Sequence, residues 1–227
     1  GWSKLQMQRT NPVPDDNDAM SPDAIREALE APGHPADEVL RAATQNAAAL
    51  APAVVAAVRR AAQGVYLLPA QSQLLFHGLH ALAAAGRTEL YAPLMELLRR
   101  PPDEVDRIFG DAVTETLAQL VLAVFDGDAE PIIEAIADES LDPMLRWCLL
   151  EVLARLSFDG AVPRERVVAV IDQLVQGGHA DDDDLVWQAV QDVVVLLALE
   201  ERAATVRAAW DEADEPGVHD AGEPLGR

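Results

Sequence analysis

Apolar residues recur along this chain at steps of three and four and nowhere alternate as a strand would, so every predicted element is an α-helix. Ser21-Pro22-Asp23 puts an N-cap, a first-turn proline and an acid in order, and opens a short helix to about Ala31. Ala36 to Leu50 and Pro52 to Gly64 follow as a pair. Gln71 to Ala85 stops at Gly86, and Glu89 to Arg100 stops at Pro101-Pro102. Asp111 to Phe125 closes at Asp126-Gly127, and Asp128 caps Ala129 to Asp138. Asp142-Pro143 opens a helix to Phe158, closed by Asp159-Gly160. Pro163 starts a helix to Gln176, where Gly177-Gly178 stop it, and Leu185 to Leu199 with Glu201 to Asp214 form the last pair.

The turns after the first helix of each pair fall near Gly86, Gly127, Gly160 and Glu200, at intervals of roughly 33 to 41 residues, the period of two-helix repeats. A lone pair cannot bury its apolar faces, whereas stacked pairs share one core. The expected fold is therefore all-α, a HEAT-like α-solenoid of about five stacked antiparallel pairs forming a single domain over residues 21–214. An irregular helical bundle is the structural alternative. Residues 1–20 and 215–227 are polar, proline-bearing and acidic, too poor in apolar surface to offset the entropy of ordering, and are expected to be disordered arms. The residues before Met7 read as an expression remnant.

Composition supports helix: half of the 227 residues are apolar, yet they are mainly Ala, Leu and Val, and only 4% of residues are aromatic. Charge changes the picture more. With 39 acids against 17 Lys and Arg, the formal net charge is -22, which repels a nucleic-acid backbone or an anionic membrane and favours a protein or peptide partner with a basic or mixed surface. Acidity also serves solubility alone. Lys4 is the only lysine, a bias that points to a GC-rich bacterial genome. One cysteine, Cys148, excludes an intrachain disulfide framework and fits a reducing compartment, and no apolar run is long enough to span a bilayer, so a cytoplasmic location is expected.

Catalytic signatures are missing: no Walker loop, no Gly-x-Ser-x-Gly elbow, no His-Glu-x-x-His and no dinucleotide fingerprint. No catalytic residue, metal site or cofactor is assigned. His77 and His80 could share a helical face as ligands, but their apolar neighbours favour core or groove hydrogen bonding. Asp126-Gly127-Asp128 begins like a calcium loop and then fails, with Pro131 in the place of the turn glycine and Ala137 in that of the bidentate acid, so Asp128 reads as a cap. Asp111 and Glu115 lie one turn apart with Thr114 between them, a spacing for acid–base work or a divalent cation, or for stabilising a helix start. Arg146 and Trp147 are either a partner-binding anchor or, for Arg146, a brace to Asp126 or Asp128 of the preceding pair. Cys148 reads as a small buried hydrophobe, and Asp181 to Asp184 as a solvated helix start.

Taken together, Phe109-Gly110-Asp111-Ala112-Val113-Thr114-Glu115, Phe125-Asp126-Gly127-Asp128, Arg146-Trp147 and Gly160 before Arg164-Glu165 resemble an uncharacterised bacterial family of HEAT-like helical-repeat proteins. The resemblance runs from about Leu75 to about Val175 and implies a helical repeat fold and a cytosolic setting, with no established activity to carry over. Some members continue into a Cys-rich zinc-binding tail; the C-terminal arm of this chain has no cysteine. The positions to test are Asp111, Thr114, Glu115, Asp126, Asp128, Arg146 and Trp147. Three functions are compatible with this reading. The first is a non-catalytic protein-interaction scaffold; the others are a metal-dependent hydrolase-like enzyme using carboxylates near Asp111, Glu115 and Asp128, and an acidic inhibitor of a basic protein.

Overall fold

A computed structural model describes residues 20–177 and 184–214, with side chains given for most of them up to residue 208. The first nineteen residues, the tail from 215 and Asp181 to Asp183 of the acidic run lie outside the described residues. The described secondary structure is helical throughout, without strands.

Three helices open the fold: α1 (Pro22–Glu30), α2 (Asp37–Gln45) and α3 (Ala47–Ala62). The Ser21 hydroxyl caps α1 by accepting from the Ala24 amide at 3.2 Å. The break between α2 and α3 falls at Asn46 instead of Ala51, because Pro52 is tolerated inside α3 near its start. Next come α4 (Pro69–Ala84), a 3₁₀ turn at Thr88–Leu90, and α5 (Tyr91–Leu98). The sequence pattern assigns no helix between Pro101-Pro102 and Asp111, and α6 (Pro102–Phe109) forms there. The helix expected from Asp111 to Phe125 is divided at Thr116 into α7 (Ala112–Glu115) and α8 (Leu117–Val124). The remaining elements are α9 (Glu130–Ala137), α10 (Pro143–Phe158), α11 (Arg164–Gln176), α12 (Asp184–Leu196) and α13 (Glu200–Asp214).

Contacts arrange these helices in two rows. In the first, α4 packs on α8, α8 on α10, and α10 on α12, with α1 and α2 against α4 at the near end. In the second, α3 packs on α5, α5 on α9, and α9 on α11. Between the rows, α3 packs on α4, α9 and α11 on α10, and α13 on α12, while α6 and α7 lie between α5 and α8 in the chain. Buried side chains from Ile25 to Val206 make one continuous core. Close approach of α3 and α4 depends on Gly78, where a Cβ would lie 2.5 Å from Val54 Cγ2.

One end geometry recurs at several helix ends but does not follow the expected repeat interval, since Gly64 lies outside that series and Gly127 is not among its members. At Gly64, Gly86 and Gly160 the chain turns left-handed, with φ of 76°, 66° and 80°. The residue after each glycine returns its amide to a carbonyl one turn back in the helix: Val65 to Arg60, Arg87 to Leu82, Ala161 to Leu156. After α12 the equivalent position is Ala198, with φ 48° and the Leu199 amide bonded to Val194 O, so this turn centres on Ala198 instead of Glu200.

The second row is also joined by ion pairs between successive helices. Arg99, at the end of α5, meets Glu134 of α9 at 2.7 Å; Arg166 of α11 pairs with Glu130 of α9; Arg202 of α13 meets Asp172 of α11 at 2.7 Å. All are partly exposed, so each contributes less than about 1 kcal/mol and sets alignment more than stability. Backbone clamps repeat as well: the Tyr91 hydroxyl donates to Asp128 O at 2.6 Å, and Arg164 donates to the carbonyls of Leu197 and Ala198. In both cases the start of a second-row helix grips the turn of the next pair.

Candidate functional site: an exposed helical face and an acid-rimmed cleft

On α10 the residues at Leu145, Cys148, Leu149, Val152 and Leu156 are buried, which leaves Met144, Trp147, Glu151, Arg155 and Phe158 as one outward stripe. Corresponding stripes are Gln73, Phe76 and His80 on α4, Thr116 and Gln119 at the start of and along α8, and Gln188 and Asp192 on α12. They are neighbours across the row. His80 donates from Nδ1 to Phe76 O at 2.8 Å, and its Nε2 meets Thr116 Oγ1 at 3.3 Å. Although Glu151 is exposed, partial loss of solvent around it raises its carboxyl above the usual range, with a further push from the Asp192 charge on α12. The face therefore mixes amides, a histidine and aromatic rings at one end with carboxylates at the other.

Trp147 lies on the α10 stripe, half-buried, with its indole nitrogen turned into the protein. Cys148 points the opposite way into the core, where burial pushes its thiol up to about 12, and behaves as the expected small hydrophobe. His77 is also nearly buried: its Nε2 pairs with Gln73 Oε1 at 2.9 Å and its ring lies edge-on to His34, 5.7 Å between centroids. Burial, then the neighbouring His34, lowers its pKa.

Arg146 is fully buried, and its Nε donates to Ile136 O at 2.9 Å, tying α10 to the last turn of α9. The brace expected between Arg146 and the Asp126–Asp128 turn is thus corrected: Arg146 grips a helix end, where a cation offsets unsatisfied carbonyls. The two aspartates serve their own turn, Asp126 Oδ1 accepting from the Asp128 amide and Asp128 Oδ1 from the Glu130 amide, each at 3.0 Å. Bracing between pairs falls instead to Arg99, Arg166 and Arg202.

Asp111 and Thr114 line a cleft of about 230 Å³ between α6, α7 and the start of α10. Pro102, Val105, Val113, Leu141, Met144 and Leu145 form its apolar walls, with Asp106, Asp111 and Asp142 at its polar margin. Asp142 caps α10, accepting from the amides of Met144 at 2.8 Å and Leu145 at 3.3 Å. Arg100 also reaches the cleft, but Glu104 holds it at 2.9 Å. Asp111 stands at the N-cap of α7 without a capping bond from its side chain, and Thr114 Oγ1 donates to Asp111 O at 2.9 Å.

The seven positions singled out from sequence are therefore not one site. Asp111 and Thr114 share the cleft, Trp147 lies on the exposed face, Arg146 is in the core, and Glu115 is exposed outside the cleft. Asp111 and Glu115 precede α8 and Asp128 follows it, so roughly 12 Å of helix separates the carboxylates that a hydrolytic centre would need together. Among the described residues no three His, Cys, Asp or Glu side chains converge as a metal would require. None of the described helices is long and apolar enough to cross a membrane. Sequence reading missed Asp106, Glu151 and Asp192; the α6 pattern of Pro102, Asp103-Glu104, Val105, Ile108-Phe109 and Gly110 carried the signal for the first.

Residues 25–215 match the model of a protein family of unknown function, DUF1186. No curated protein and no solved structure matches the chain.

Proposed function

We propose that this chain, which belongs to the DUF1186 family, is a non-catalytic protein-interaction scaffold of the HEAT-like type, its first-row face docking a protein or peptide with a basic or mixed surface. One observation carries the reading: four successive helices of the first row each leave one stripe uncovered, the stripes meeting at His80 with Thr116 and at Glu151 with Asp192, and the half-buried ring of Trp147 lies among them. A tryptophan that keeps part of its ring at the surface of a helical row is the kind of anchor that dominates binding energy. Gln73, Gln119 and Gln188 can donate to and accept from a peptide backbone. Acid residues are spread over helices of both rows, which suits long-range attraction of a cationic partner better than a single reacting centre.

The test compares three forms of the full chain as bait in extracts of the source organism. A face variant (Gln119→Arg with Trp147→Ala) should lose the partners that the unaltered chain retains, while a second-row variant (Glu96→Gln with Gln173→Arg) should keep them. Loss in both, or in neither, contradicts docking through this face.

A further inference from the structure

The cleft between α6, α7 and the start of α10 is built unlike the open face beside it, and its chemistry selects an occupant. Its volume, about 230 Å³, falls below the roughly 300 Å³ at which pockets for drug-sized ligands and cofactors begin, and matches a single inserted side chain better. Its walls, among them Val105, Val113, Met144 and Leu145, offer apolar contact along a stem. Its margin is negative. Asp142 is engaged in capping, and Arg100 is neutralised by Glu104, whereas among the described residues the carboxylates of Asp106 and Asp111 have no hydrogen-bond donor and no ion-pair partner.

An anion entering here would meet these carboxylates, and a purely apolar side chain would leave them beside an unpaired apolar tip. A side chain with an aliphatic stem and a cationic head satisfies both halves. Of the two such side chains, arginine presents five donors in a plane, enough to serve carboxylates from two different helices at once.

We infer that this cleft is a specificity pocket for one arginine side chain presented by a protein partner. The inference rests on the docking role proposed above and narrows it: the face supplies area, and the cleft selects a partner by a projecting guanidinium. Met144 belongs to both the outward stripe of α10 and the cleft wall, which places the cleft next to the face.

The experiment uses the full chain labelled with nitrogen-15 and N-acetylarginine amide as the probe, with N-acetylcitrulline amide as its isosteric uncharged control. Saturable amide shifts confined to residues 102–114 and 141–145 are expected with the arginine compound, and none that saturate with citrulline. Asp106→Asn with Asp111→Asn should raise the dissociation constant about tenfold or more, since charge-assisted bonds are lost. Asp103→Asn, an exposed acid of α6 outside the cleft, should change it less than about twofold. If the double variant does not fold, the single change at Asp111 carries the test, with an expected weakening of about threefold or more. Equal binding of citrulline, shifts spread over the whole chain, or indifference to both aspartates overturns the inference. If partner capture still depends on Gln119 and Trp147 in that event, the cleft alone is rejected and the docking face stands.

Discussion

Replacing Ala198 by glycine should stabilise the protein. Ala198 occupies the left-handed position that Gly64, Gly86 and Gly160 occupy at the ends of their helices, with the same return bond from the following amide. A side chain there crowds its own backbone at a cost of about 1–2 kcal/mol. Glycine relieves that crowding but loses about 0.5–1 kcal/mol through the greater freedom of its unfolded chain. The net gain is about 0.5–1 kcal/mol, or about 1–4 °C in Tm for a chain of this size. The reverse change calibrates it. An ideal Cβ at Gly86 or Gly160 meets no atom within 4 Å, so Gly86→Ala and Gly160→Ala cost conformational energy without a clash and should lower stability by about 0.5–1 kcal/mol. Urea unfolding followed by far-ultraviolet circular dichroism measures all three, with unchanged m-values expected. A loss of stability in Ala198→Gly would refute the equivalence of the four turns, as would neutral behaviour of both glycine substitutions.

Four further outcomes follow from the packing. Gly78→Ala should destabilise by about 1–3 kcal/mol, because the added methyl meets buried Val54 across the α3–α4 contact; a thermal melt checks this. Arg146→Ala should lower stability by about 3–5 kcal/mol in chemical denaturation, more than an exposed brace would, since a fully buried side chain and its bond to Ile136 O are lost. His77 has a folded pKa below its unfolded value of about 6.5, so its neutral form supports the fold and that support is lost as pH falls through 6.5; Tm should drop between pH 7.5 and 5.5 less in His77→Gln than in the unaltered chain. Glu151 has a folded pKa above its unfolded value of about 4.5, so its charged form costs stability above that pH; Glu151→Gln should raise Tm at pH 7, with the gain fading below pH 4.

Helix punctuation made most of the fold legible. Asp142-Pro143 at one end and Asp159-Gly160 at the other bound α10 because capping, proline and glycine act locally. Errors arose where tertiary context overrode local signals. Pro101-Pro102 read as a stop, yet a proline in the first turn also starts a helix, and Val105 with Phe109 found a core to bury against. Pro52 lies within α3, where the surrounding packing compensates for the lost amide. At the site, Asp111 and Thr114 were visible as residue types, but the cleft they line is completed by Leu141 to Leu145, far along the chain. Arg146 looked like a partner for the acids of the Asp126–Asp128 turn, yet one of its acceptors, Ile136 O, is a backbone atom that no side-chain pattern reveals. Glu151 and Asp192 meet only because α10 packs on α12.

Docking through the uncovered face of α4, α8, α10 and α12 leaves a signature in the backbone amides of those helices. Hydrogen–deuterium exchange on the complex with a captured partner tests it most directly, read against the free chain. Added protection is expected in the peptides carrying Gln73 to His80, Thr116 to Gln119, Trp147 to Glu151 and Gln188 to Asp192, and no change in α5, α9 and α11. Protection centred on α5, α9 and α11, with the first-row helices unchanged, would contradict it.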